Sequence, residues 1–314
     1  MTKPTFTTVT RTQGNNQALK DGSIDPATFA FDFIDVPVLV DGFRRMVRGL
    51  EFDISEMAIT TYLCAKAHGK RMTALPIFLV RAFHHGAIMV NTRVGIATPK
   101  DLEGKRIGVN RGYTVTTGVW ARSVLQDEYG VDLGKITWVL SGDEHVAEYR
   151  PPANVVQIEA GKKMSEMLIN AELAAAIGVE VDHADVKPLI ANAQDAGIAA
   201  LKSRGHYPIN HLMVIKDDVI NAHPNLAVDV FNAFVESKKM YLQRLTSGAI
   251  EKPTAVDLLH RRVMDITGDP LPYGVEPNRR ALEELIRHAV TQGIIAAPVD
   301  VDELFVPSTR GRVG

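Results

Sequence analysis

Residues 97–110 read ATPKDLEGKRIGVN, and this stretch decides how the chain is divided. Pro99 and Asp101 mark a turn. RIGVN then opens a new strand after a full run of strands and helices has already gone by. Upstream, FTTVT (6–10), FAFDFIDV (29–36), FDISEM (52–57), TALPIFL (73–79) and AIMVN (87–91) carry strand signals. QALKDG, FRRMVRGL and AITTYLCAKAHG between them suit helices. Alternation of this kind predicts an α/β layer with a largely parallel sheet.

Downstream, GYTVTTGVWARSVLQDEYG (112–130) places Val115, Val119, Trp120, Val124 and Leu125 on one helical stripe. ITWVL is the next strand, and KKMSEMLINAELAAAIG a helix running into a strand. From HYPINHLMVI (206–215) a strand is followed by three helical segments, beginning with HPNLAVDVFNAFVESKKMYLQRL, where Pro224 suits a first turn. In the last of them Ala281, Leu282, Leu285, Ile286, Ala289 and Val290 share a face. The chain is therefore expected to build one lobe from 1–104 and 212–314 and a second, inserted lobe from 105–211. Such a layout predicts a central ligand cleft lined by loops at the carboxyl ends of strands.

At 314 residues the chain can bury two cores. Its net charge of -2 gives no global electrostatic case for nucleic acid or an anionic membrane, so anion recognition has to be local. The single cysteine, Cys64, excludes an internal disulfide and reads as a buried structural thiol on a helix. A secretory signal pattern and a membrane-length apolar run are both missing, and a cytoplasmic enzyme is the expectation.

Polar residues at strand ends carry the candidate chemistry. In LPIFLVRAFHHGAIMV (75–90), Arg81, His84 and His85 interrupt two apolar runs. Arg81 can hold a carboxylate through paired hydrogen bonds, and either histidine can exchange a proton near neutral pH. Adjacent histidines on an extended chain point to opposite sides and match no spaced zinc pattern, so no metal site is assigned, with a divalent ion left open. NRGYTVTTG (110–118) joins a strand to a helix, and Arg111, Tyr113, Thr114, Thr116 and Thr117 there suggest an anion seat. It lacks the glycine and lysine pattern of a nucleotide loop. Glu56 could act as an acid or orient a histidine; as a helix-start carboxylate it could equally be only stabilising. His145 and His211 are further candidates, each with a structural reading beside it, while Asp143 and Glu144 read as caps.

Several of these segments, FDFIDV, FDISEM, RAFHHGAIMVN, LEGKRIGVNRGYTVTTGVWARSVLQDEYGV, ITWVL, GDEHVAEYRPPANV, GHYPINHL and DPLPYGVEPNR, together resemble the 4,5-dihydroxyphthalate decarboxylase family. The likeness covers most of the chain, and GYTVTTGVWAR and YPINHL are its most specific parts. It implies the type II periplasmic-binding-protein fold and conversion of 4,5-dihydroxyphthalate to protocatechuate and carbon dioxide, with no redox cofactor. RAFHHGAIMVN departs from a more hydrophilic family pattern, which bears on the ring substituent met by His85 and Gly86. Under this resemblance Arg81 and Arg111 would hold the carboxylates of an aromatic dicarboxylate, with the Thr114–Thr117 helix start and Tyr113 assisting. His85 or His211 would protonate carbon, and Glu56 or His84 would hold the catechol oxygens. A solute-binding protein without catalysis, or another lyase acting on a cyclic acid, is the alternative on the same fold. A homo-oligomer is compatible with all three.

Overall fold

The computed structural model describes residues 3–314. The chain begins with β1 (Thr5–Val9), α1 (Gln17–Lys20), β2 (Ala30–Phe33), α2 (Leu39–Gly49), β3 (Ile54–Ala58), α3 (Ile59–Ala67) and β4 (Met72–Arg81). It continues through β5 (Ile88–Asn91), β6 (Arg106–Val109), α4 (Thr116–Tyr129), β7 (Thr137–Leu140) and β8 (Val155–Gln157). Then come α5 (Met164–Ile169), β9 (Ala175–Ile177), β10 (Val186–Pro188) and α6 (Ala193–Arg204). The last elements are β11 (Ile209–Lys216), α7 (Asp217–Ala222), α8 (Leu226–Ser247), α9 (Ala255–Thr267) and α10 (Arg279–Thr291).

These elements form a two-lobed α/β fold with one mixed sheet in each lobe. The first unit comprises the residues up to Arg81 with Ile209–Glu283 and Val299–Gly314. The second comprises Ala82–Pro208 and Glu284–Pro298. No helix among the described residues is long and apolar enough to cross a membrane.

In the first unit the sheet order is β2-β1-β3-β11-β4. β1 pairs in parallel with β2 and β3, while β11 runs antiparallel to both β3 and β4. Every residue of β3 is buried, as expected for a central strand covered on both faces. Leu75, Ile77 and Leu79 of β4 and Met213 and Ile215 of β11 pack with Val230, Phe231 and Phe234 of α8. Each such side chain removed from water contributes roughly 1.5–3 kcal/mol. Cys64 is buried on α3.

One part of this sheet is irregular. The register between β11 and β4 shifts at three successive steps from Ile209 to Met213. Opposite them, β4 carries Pro76, which has no N–H for the ladder and is confined to such irregular places. Bulged strands re-aim side chains, and His211 stands in the middle of this one.

The second unit's sheet has the order β10-β5-β9-β6-β7-β8. β6 pairs in parallel with β7 and β9, and β5 pairs antiparallel with β9 and β10. Val139, Met164, Met167, Leu168 and Leu173 form a core on this sheet. Helix α4 buries Val119, Trp120, Val124 and Leu125, the apolar stripe expected from its spacing.

Candidate functional site

Glu56 lies inside β3 rather than beyond its end, and its carboxylate is completely buried. Its β11 ladder partner is Met213, and His211 faces Ala58, two residues along β3. Because side chains alternate along a strand, Glu56 and His211 project from the same face as diagonal neighbours. Glu56 Oε1 stands 2.6 Å from His211 Nδ1. The Phe43 ring meets the imidazole edge-on with centroids 5.2 Å apart. His211 Nε2 has no partner among the described residues, and the side chain keeps 19% of its surface exposed. A carboxylate on Nδ1 fixes the ring and leaves Nε2 as the nitrogen that faces outward.

The loop after β1 completes the carboxylate's surroundings. Thr10 Oγ1 donates to Glu56 Oε2 at 2.7 Å, and the Arg11 amide donates to the same oxygen at 3.0 Å. The Gln13 side-chain amide stands 3.4 Å from both oxygens. Burial alone would raise the carboxyl's pKa; the bonds from His211, Thr10 and Arg11 outweigh it and hold Glu56 below its ordinary range. The loop itself is fastened from several directions. Asn16 Nδ2 donates to Thr10 Oγ1 and to the Arg11 carbonyl, and its Oδ1 accepts from the Gln13 amide. Asn15 Nδ2 donates to the Leu79 carbonyl and to the Tyr273 hydroxyl. Lys20 Nζ donates to the Thr10 carbonyl at 2.8 Å. Gly14 packs so close to Tyr241 that a Cβ there would meet Cε2 at 2.3 Å.

Arg81, at the end of β4, is buried, and its guanidinium donates to Asn278 Oδ1 at 2.7 Å. Asn278 in turn donates to the carbonyls of Pro272 and Gly274. Arg81 thus anchors the PLPYGVEPN segment within the same unit as the dyad.

The remaining candidates belong to the second unit. Arg111 has a left-handed backbone, φ 71°, uncommon for a residue with a Cβ. Its amide donates to Ser141 Oγ, and its carbonyl accepts from the Gly142 amide. Tyr113, Thr114 and Thr116 are buried. The amides of Tyr113 and Thr114 and the Thr114 hydroxyl all donate to the Glu144 carboxylate, at 2.5, 3.1 and 2.7 Å. A Cβ on Gly112 would meet Glu144 Oε2 at 2.6 Å, so glycine is what lets this carboxylate approach. The expected anion seat before α4 therefore already cradles one anion, a side chain of the protein. Thr117 lies in the first turn of α4, half-buried, and His145, beside Glu144, is buried.

His84 and His85 are both buried, and His85 has no exposed surface. Its Nε2 is 3.0 Å from both oxygens of Glu128 on α4. Glu128 also accepts from Arg204, which bonds Glu284 at 3.1 Å, and Glu284 takes His206 Nδ1 at 2.9 Å. His288 Nε2 lies 3.1 Å from Asp127, which pairs with Arg287 at 2.6 Å. Trp120 packs edge-on against both His206 and His288. Burial pushes His288 down to about 4, so it stays neutral. This chain of alternating charges ties α4, α6 and α10 together.

No family model matches the chain. A curated 4,5-dihydroxyphthalate decarboxylase of Comamonas testosteroni is 30% identical over 284 residues, 85% of this chain and 86% of that protein. The chain belongs to the 4,5-dihydroxyphthalate decarboxylase family. A second protein of that name, from Pseudomonas putida, is 35% identical over 144 residues, 43% of this chain and 55% of the relative. Among solved structures, the aliphatic sulphonate-binding protein SsuA of Escherichia coli matches with TM-score 0.56 at 11% identity, covering 97% of this chain and 92% of that one. The desulfurization enzyme DSZB matches with TM-score 0.54 at 14% identity, covering 98% and 97%. At these identities the likeness establishes a fold shared by binding proteins and enzymes.

In this member of the decarboxylase family, the Glu56–His211 pair is the arrangement best formed for moving a proton. It joins a buried, ionised carboxylate to an imidazole with one outward nitrogen. The oxygen and nitrogen atoms of Asp127, Glu284 and His288 lie within 4.8 Å of one another, a spacing a metal ion could use. Arg287 already neutralises Asp127, and Arg204 already pairs with Glu284, so these acids serve as ion-pair acceptors. The residues missing from the sequence reading are those of TRTQGNN (10–16), although a polar run at the carboxyl end of a parallel strand was a usable signal.

Proposed function

We propose that the protein removes one carboxylate from 4,5-dihydroxyphthalate without oxidation, giving 3,4-dihydroxybenzoate and carbon dioxide. The curated relatives carry this activity in their names. The observation that carries the mechanism is the buried Glu56 carboxylate on His211 Nδ1, with Nε2 left outward.

In this reading His211 Nε2–H delivers its proton to the ring carbon that bears the departing carboxylate. The hydroxyl para to that carbon pushes electron density toward it, so a C–H bond can form. The C–C bond to the carboxylate then breaks, its electron pair returns to the ring, and carbon dioxide leaves. One proton is consumed per turnover, and the imidazole regains it from water. No electrons change hands overall, so no redox cofactor is called for. Glu56 stabilises the imidazolium and fixes the tautomer, the part a carboxylate plays beside a catalytic histidine. Arg111 is assigned to anion binding, in keeping with a strained backbone of the kind that clusters at functional sites. His85, sealed from solvent on Glu128, is assigned to the framework.

Incubation with 4,5-dihydroxyphthalate in D2O tests this reading. Carbon dioxide and 3,4-dihydroxybenzoate should appear in equal amounts, with one deuterium on the ring carbon ortho to the retained carboxylate. Substrate recovered unchanged would reject it in favour of simple binding.

A further inference from the structure

Resting on that reading, the geometry points to Arg11 as the residue that grips the carboxylate the substrate keeps, and so selects a dicarboxylate over a monocarboxylate.

The Arg11 amide and His211 Nδ1 bond the two oxygens of one carboxylate, that of Glu56. The backbone of Arg11 is therefore one carboxyl group away from the imidazole. Its side chain is exposed, and its guanidinium makes no hydrogen bond or ion pair among the described residues. Arg81 of the same unit contrasts with it, being 6% exposed and committed to Asn278. The Arg11 loop is held firmly by Asn15, Asn16 and Lys20, so ordering it on binding costs little.

The chemistry asks for a cation beside the ring carbon that is protonated, within reach of a long side chain from this loop. In a phthalate the two carboxylates sit on adjacent ring carbons. If the acid reaches the carbon losing carbon dioxide, the retained carboxylate is the next substituent along. Binding it with an arginine is strong and geometrically selective, because the planar fork matches both oxygens.

Calorimetry with phthalate, which lacks the hydroxyl push, and benzoate separates binding from turnover. R11Q should weaken phthalate binding at least about tenfold, the scale of losing a charge-assisted pair, and change benzoate binding less than about twofold. R11K should fall between R11Q and the unaltered protein. With 4,5-dihydroxyphthalate, KM should rise more than kcat falls. An R11Q protein that keeps its preference for phthalate over benzoate would overturn the inference, as would an unaltered protein that binds neither acid. If Arg11 governs phthalate binding while no carbon dioxide is released from 4,5-dihydroxyphthalate, this inference stands and the decarboxylase reading fails.

Discussion

Glu56 and His211, 155 residues apart in the chain, meet at 2.6 Å on neighbouring antiparallel strands. The carboxylate has no exposed surface, whereas the imidazole reaches solvent. Buried ion pairs of this type seldom add much net stability. Their use lies in orientation, and here the ring is turned so that one nitrogen is sequestered and the other presented.

Glu56→Gln keeps the shape of the side chain and removes its charge. Turnover should fall about a hundredfold or more, since positioned proton transfer is typically worth 10²–10⁴. Stability should fall by about 1–3 kcal/mol, because the Thr10 hydroxyl and Arg11 amide lose a charged acceptor. Steady-state kinetics and urea unfolding measure the two effects. Unchanged turnover with lowered stability would make Glu56 purely structural.

His85→Gln separates the framework from the chemistry. His85 is sealed on Glu128, so its loss should cost about 1–3 kcal/mol of stability. Turnover of the folded variant should stay within a few-fold of the unaltered protein. A loss of a hundredfold or more, with folding intact, would move the proton donor from His211 to His85.

How much of this could be read from the chain differs by element. The strand at RIGVN, the stripe on α4 and the strand–helix alternation were legible, because buried faces leave periodic apolar residues, whereas the division of the chain falls between Arg81 and Ala82, ahead of β5, and not at 104/105. The partnership of β5 with β9 and β10 was not, since a four-residue apolar strand fits either sheet equally well. Helix α6, AQDAGIAALKSR, escaped because alanine and glycine blur its apolar face. Glu56 and His211 were legible as residue types, yet nothing local ties one to the other; the pairing is a property of sheet register. Thr10, Arg11 and Gln13 show in sequence only as a polar run after a strand, which does not tell which carboxylate they meet.

Gly14→Ala tests whether the Arg11 loop is set by α8. The added methyl would collide with the Tyr241 ring, and such overpacking costs about 1–3 kcal/mol. Because Thr10, Arg11 and Gln13 move with Gly14, activity should fall as well. Tyr241→Leu placed in the same protein should restore part of both losses. Failure of that double variant to recover activity would detach the loop from Tyr241.

Acid should weaken the fold in a defined window. His260 donates from Nδ1 to the Tyr241 hydroxyl, which donates to Asp257. Burial pushes His260 from 6.5 down to about 4, as it does His288. A folded-state value below the unfolded one means the unfolded chain takes up protons first. Stability is therefore unaffected by these groups above pH 6.5 and falls as pH drops from 6.5 toward 4, by about 1.4 kcal/mol per unit per histidine. Glu56, held below its ordinary value, adds a further loss only below about pH 4.5. Urea unfolding at stepped pH should show a shallower slope between 6.5 and 4.5 in His260→Gln. A flat profile over that range in the unaltered protein would contradict these assignments.

The most direct test of the account is carbon dioxide release by His211→Gln, measured beside phthalate binding in the same preparation. The expected result is binding within about threefold of the unaltered protein and carbon dioxide release lowered about a hundredfold or more. Release at a rate close to that of the unaltered protein would contradict it, since the proton would then come from another group.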